Sequence, residues 1–191
     1  MIKVDDFYNQ LLNSGVDFFT GVPDSLLKDF CGYVANIMPT RNIITANEGG
    51  AISLAVGYHI ATNKIPIVYM QNSGLGNSIN PLLSLADKEI YSIPMILMIG
   101  WRGEPGVKDE PQHIKQGYVT LDLLDSVGIP YYLIDSFADY RKIISHAVKT
   151  ASQDARPVAL VVKKGVFESY KMNASNSISN YNLSREEALI E

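Results

Sequence analysis

Apolar side chains follow two alternating spacings along this chain. Val4, Phe7, Leu11 and Leu12 recur at near-helical intervals, and Gly15 follows as a stop. Asp17 to Thr20 then reads as a first strand and Gly21 to Ser25 as a turn. Leu27, Phe30, Cys31, Val34, Ile37 and Met38 make a helical stripe that ends at Pro39. The alternation repeats with a strand at Asn42 to Thr45, a helix at Gly49 to Thr62 and a strand at Pro66 to Met70. The polar turn Gln71 to Asn77 follows, then a helix to about Glu89 and a strand at Pro94 to Ile99. Trp101 to Pro111 is a loop rich in charge, Gly and Pro, and Gln112 to Ser126 is helical. Tyr131 to Ile134 is a strand, Phe137 to Ala151 a helix, and Pro157 to Val162 the last strand.

The apolar runs beginning at Pro94 and Pro157 contain no polar alternation, so they suit strands covered on both faces, as in a parallel sheet. Pro66, Pro94 and Pro157 stand at strand starts, where a missing N–H does little harm. The expected fold is a three-layer α/β/α arrangement around a six-stranded, mostly parallel sheet. Ligands of such sheets gather beyond the carboxyl ends of the strands. Four segments fall there: Gly21 to Ser25, Ala46 to Gly50, Gln71 to Asn77, and Gly100 to His113. There is no internal repeat.

Composition narrows the classes. A 191-residue chain that is 47% hydrophobic and 19% charged can build a real core, which excludes a disordered type. Net charge is -4 without a basic cluster, which argues against a nucleic-acid partner. The single Cys31 excludes an intramolecular disulfide, and its helical spacing with Leu27 and Val34 makes it a core filler. The N-terminus lacks the apolar stretch of a secretory signal. The most apolar run, Ile93 to Trp101, is far too short to span a bilayer. A cytoplasmic protein with no membrane partner is expected. After Tyr170 the composition shifts: Asn173 to Asn182 reads as a linker, and Ser184-Arg185-Glu186-Glu187 as a capping box opening a helix. Residues 1–170 are expected to be one domain, and 171–191 a linker and the threshold of a missing one.

The stretch with the clearest chemistry is Ala46-Asn47-Glu48-Gly49-Gly50-Ala51. It puts a lone carboxylate at a strand-to-helix turn, with two glycines behind it that let another molecule approach the backbone. Glu48 also suits a helix N-terminus for electrostatic reasons alone, worth roughly 0.3–1 kcal/mol. Asp24 and Ser25 are each good helix caps or catalytic contacts. The turn Asn72 to Asn77 offers amides and backbone N–H groups. His113 is titratable near neutral pH, and Arg102 is the arginine of its loop.

Four stretches taken together carry a resemblance. Gly21-Val22-Pro23-Asp24-Ser25-Leu26-Leu27, Ala46 to Ala51, Gln71-Asn72-Ser73-Gly74-Leu75-Gly76-Asn77 and Asp109-Glu110-Pro111-Gln112-His113 occur in order and at suitable spacing. Over residues 1–170 the chain resembles the pyrimidine-binding domain of phosphonopyruvate decarboxylases, enzymes that use thiamine diphosphate (TPP). The resemblance implies decarboxylation of phosphonopyruvate to phosphonoacetaldehyde and CO₂, with sulfopyruvate decarboxylation as the alternative and a non-catalytic flavodoxin-like binding module as a second. It implies catalytic roles for Glu48, Asp24 and His113, with Glu48 as the acid that meets N1' of the aminopyrimidine. Pro23, Glu48, Ser73 and Asn77 would contact the cofactor, and Ser25, Asn72 and Arg102 the substrate. Of the histidine pair of related decarboxylases, only His113 is present, preceded by Gln112. The family's Gly-Asp-Gly motif for Mg²⁺ and diphosphate is absent from this sequence. The resemblance therefore gives this chain no metal ligand and leaves the ion to a diphosphate-binding domain of the same or a partner subunit, in a homo-oligomer.

Overall fold

The computed structural model describes residues 1–171. The sheet is organised by its central strands. In β3 (Ile67–Gln71), Ile67 and Tyr69 enter one apolar cluster while Val68 and Met70 enter the other. This is the period-two alternation of a strand with a core on each side. β4 (Met95–Gly100) and β6 (Pro157–Val162) are likewise buried throughout. β1 (Phe19–Gly21), β2 (Asn42–Ile44) and β5 (Tyr131–Ile134) complete a six-stranded sheet in the order β2-β1-β3-β4-β6-β5. Every neighbouring pair is parallel, so the sheet is wholly rather than mostly parallel. Cover on both faces does not extend to the edges: Ile44 of β2 is 60% exposed and Leu133 of β5 is 38% exposed.

The helices fall into two layers. α1 (Val4–Asn13), α2 (Lys28–Ile37) and α6 (Tyr140–Asp154) share the cluster of Phe19, Ile67 and Met98. Phe7, Phe30 and Phe167 meet edge-on or stacked at its centre. α3 (Glu48–Thr62), α4 (Leu75–Pro81) and α5 (Pro111–Ser126) cover the other face, around Met70, Leu97 and Val161. Cys31 is buried, as a core filler should be, and burial pushes its thiol up to about 12. No helix among the described residues is long and apolar enough to cross a membrane. The linker and capping box expected after Tyr170 lie outside the described residues.

One segment differs from its expected form. No polar turn separates β3 from the next helix. A 3₁₀ turn, Asn72–Gly74, starts directly after Gln71 and runs into α4. The helix expected to reach about Glu89 passes from α to π form after Pro81 and ends at Ala86. Proline has no N–H to give to the carbonyl four residues back, which is that of Asn77. Gly49 of α3 packs against this oxygen: a Cβ there would stand 2.8 Å from it. The missing side chain at Gly49 thus lets α3 and α4 approach closely where both carry site residues.

Candidate active site

The connections around β1 create the crevice. From β1 the chain moves outward to β2, then returns to place β3 on the other side of β1. Open α/β sheets bind their ligands at such a reversal. Asp24, in the loop after β1, and Gln71, the last residue of β3, meet across it. Gln71 Nε2 donates to Asp24 Oδ1 at 3.0 Å, and Ser73 Oγ donates to Gln71 Oε1 at 2.6 Å. The Leu26 N–H donates to Asp24 Oδ2 at 2.9 Å. Asp24 is only 4% exposed and lies against Gly100 at the end of β4, where a Cβ would stand 2.2 Å from Oδ2. It closes the turn before α2 but does not cap that helix: Leu27 holds the N-cap position, without a side-chain bond.

Glu48 opens α3 and is not its cap either. Asn47 is, accepting the Gly50 N–H at 2.8 Å. Capping by Asn47 leaves the Glu48 carboxylate with other partners. Asn77 Nδ2 donates to Glu48 Oε2 at 2.8 Å, and among the described residues it is the one donor to that side chain. The carboxylate rests on Gly74, where a Cβ would lie 2.6 Å from Oε1. Two carboxylates on the C-terminal rim of the sheet are therefore each seated on a glycine. This arrangement suits the aminopyrimidine half of TPP: a partly exposed acid with one oxygen held by an amide and the other without a donor among the described residues.

The loop after β4 is fixed by an ion pair. The Arg102 guanidinium grips Asp109 in a fork, with Nε donating to Oδ2 at 2.8 Å and Nη2 to Oδ1. The Gly103 and Glu110 N–H groups also donate to Asp109, each at 2.8 Å. The Arg102 hydrogen bonds above all hold the Asp109 carboxyl well below the usual carboxylate range, and Asp109 in turn raises Arg102. Arg102 Nη1 also donates to Ser25 Oγ, tying this loop to the one that carries Asp24.

The expected site residues thus separate into groups. Gln71 links Asp24 to Ser73, and a separate bond links Arg102 to Ser25, the chain neighbour of Asp24. Glu48 and Asn77 form a second pair. Pro23, Asp24 and Ser25 line one side of a cavity of about 470 Å³ that runs to Cys31 and Tyr69. His113 lies in the first turn of α5, partly exposed, its N–H donating to the Glu110 carbonyl at 2.9 Å. Asn72 is turned inward and 0% exposed. Its Nδ2 donates to the Arg102 carbonyl and to Thr120 Oγ1, both at 2.8 Å, and its Oδ1 accepts the Arg102 N–H at 3.2 Å. In this arrangement it locks β3, the Arg102 loop and α5 together, and its amide has no open surface. Gln71, Asp109 and Gly74 enter the site without having been assigned a role: Gln71 and Gly74 meet Asp24 and Glu48 from elements distant in sequence, and Asp109 meets Arg102 across a loop whose path the sequence does not give.

The family model for the N-terminal TPP binding domain of thiamine pyrophosphate enzymes matches residues 3–125. The chain belongs to that family. It is 35% identical over 155 residues to the sulfopyruvate decarboxylase subunit alpha of Methanococcus maripaludis, covering 81% of this chain and 90% of that one. It is 38% identical over 139 residues to the phosphonopyruvate decarboxylase of Streptomyces viridochromogenes, covering 73% of this chain but 34% of that one. Among solved structures, the benzoylformate decarboxylase of Polynucleobacter necessarius superposes with a TM-score of 0.62 at 21% identity, over 85% of this chain and 30% of that one. That likeness is one of fold. The chain spans about a third of the phosphonopyruvate decarboxylase and most of the sulfopyruvate decarboxylase subunit.

Proposed function

We propose that this chain supplies the pyrimidine-binding half of a TPP-dependent decarboxylase whose substrate is phosphonopyruvate. The observation that carries the reading is the state of Glu48: relieved of capping by Asn47, held on one oxygen by Asn77, and set on the rim where such sheets bind ligands. When bound, TPP supplies the nucleophilic carbon and electron sink that decarboxylation of a 2-oxo acid needs. Glu48 would be the acid that meets the aminopyrimidine, with Asn77 fixing the direction of its carboxylate. Asn77, Ser73 and Pro23 would flank the cofactor. Asp24, held by two N–H donors, faces the reacting end of the substrate and accepts or returns a proton there, and His113 borders the same rim. Ser25 and Arg102 form the substrate side. Asn72 supports Arg102 from behind.

The diphosphate and Mg²⁺ are assigned to a second domain, of the same or a partner subunit; a site shared between two subunits makes the working enzyme an oligomer. Phosphonopyruvate is preferred because identity over the matched stretch is higher to the two phosphonopyruvate decarboxylases, 38% and 37%, than to the sulfopyruvate decarboxylases and their alpha subunits, 26% to 35%. Sulfopyruvate is the second reading, favoured by the longer match to the M. maripaludis subunit. Both substrates carry a strong acid on C3. A phosphonate approaches a dianion near neutral pH, with a second pKa around 6 by analogy with phosphate groups. The test is kcat/KM for phosphonopyruvate, sulfopyruvate and pyruvate in the complete enzyme. A preference for phosphonopyruvate is expected. A preference for sulfopyruvate moves the assignment to the second reading, and turnover of none of them overturns both.

A further inference from the structure

Gln71 has no role in the reading above, yet it joins two residues expected in the site, Asp24 and Ser73. It ends β3, one strand from β1, and its single amide makes two directional bonds. Its N–H₂ end donates to Asp24 Oδ1 and its carbonyl end accepts from Ser73. An amide cannot titrate in the working pH range, and turning it over would set its carbonyl against the Asp24 carboxylate and lose that bond. The Leu26 N–H holds the other oxygen of Asp24. Gly100 leaves the carboxylate just enough room: a Cβ at that position would come within 2.2 Å of Oδ2, so Asp24 lies directly on the glycine backbone.

We infer that Gln71 is the positioning residue for Asp24, fixing its carboxylate across the β1–β3 crevice as an acceptor of two N–H bonds. The inference rests on the reading of Asp24 as a catalytic group. Both bonds fix the plane in which the carboxylate meets a substrate proton. The other polar groups that face Asp24 are the Cys31 thiol from α2, the Arg102 guanidinium from the loop after β4, and Tyr69 and Lys28 around the adjoining cavity. None of these hydrogen-bonds to its carboxylate, so removing Gln71 leaves one oxygen without its donor.

The test uses the active enzyme and three variants: Gln71→Ala, Gln71→Glu and Asp24→Asn. Gln71→Ala is expected to lower kcat on the order of 10²-fold, the scale of a misplaced reacting group, with a much smaller change in KM. Gln71→Glu keeps the shape but replaces a donor with an acceptor, and is expected to be at least as impaired. In the Asp24→Asn background, Gln71→Ala is expected to cost little more, because the two residues act as a unit. Hydrogen exchange at the Leu26 amide gives a readout independent of turnover, and it should accelerate in Gln71→Ala as Asp24 loses its fixed orientation. A normal kcat in Gln71→Glu, additive losses in the double variant, or unchanged Leu26 exchange overturns the inference. Full activity in Asp24→Asn overturns the catalytic reading of Asp24 instead, so the two failures are distinguishable.

Discussion

Glycines decide where the two acids of the rim can sit. Glu48 occupies the space a side chain at residue 74 would take, since a Cβ there would lie 2.5 Å from Cγ and 2.6 Å from Oε1. Gly74→Ala displaces a flexible side chain rather than backbone, and alanine suits this helical turn. Stability is expected to change by less than about 1 kcal/mol, while kcat falls on the order of 10²-fold. Urea denaturation and a turnover assay on the same preparation check both parts, and unimpaired turnover contradicts the seating of Glu48. Glu48 and Asp24 were legible in the sequence because an acid beside a glycine-bearing turn stands out locally. Gln71 was not, since its importance comes from a partner 47 residues away, brought near by strand order. Asn72 was legible only as a polar residue after a strand. That it faces inward follows from the 3₁₀ turn, which sends it toward Thr120 while Ser73 remains exposed.

At the scale of elements, the loop between β4 and α5 is held by an internal ion pair. Both partners are largely buried, the side chains of Arg102 and Asp109 being 16% and 8% exposed. Asp109→Asn leaves the guanidinium without its charge partner and is expected to cost about 3 kcal/mol at neutral pH. The pH dependence has a definite sign. The Asp109 pKa is depressed in the folded chain, so its contribution is complete above the unfolded value of about 3.9 and is lost as pH falls from there through the lower folded value. The stability gap between wild type and Asp109→Asn should therefore be constant from pH 7 to about 5 and narrow below about 4. Denaturant titrations across that range measure it, and a gap that widens toward low pH contradicts the account. The strands and most helices were legible because parallel strands are continuous apolar runs and the helices carry clear stripes. The change from α to π form after Pro81 was missed because the apolar spacing continues through it, while proline withholds one N–H.

At the scale of the molecule, the class of fold was readable from alternating elements, but the order of strands was not. A flavodoxin-like order would run 2-1-3-4-5; here β6 lies between β4 and β5. The proposal of a half-site makes its own prediction. The purified 191-residue chain, given TPP and Mg²⁺, is expected to show the circular dichroism of a folded α/β protein and no decarboxylation of phosphonopyruvate. Product formation by the chain alone contradicts the half-site.

Whether Glu48 activates the cofactor is read most directly by the exchange of the C2 proton of bound TPP with D₂O, which needs no substrate. In the complete enzyme, Glu48→Gln is expected to keep the fold and bind TPP but to exchange this proton on the order of 10²-fold or more slowly than wild type. Exchange at the wild-type rate, with TPP demonstrably bound, would contradict the account.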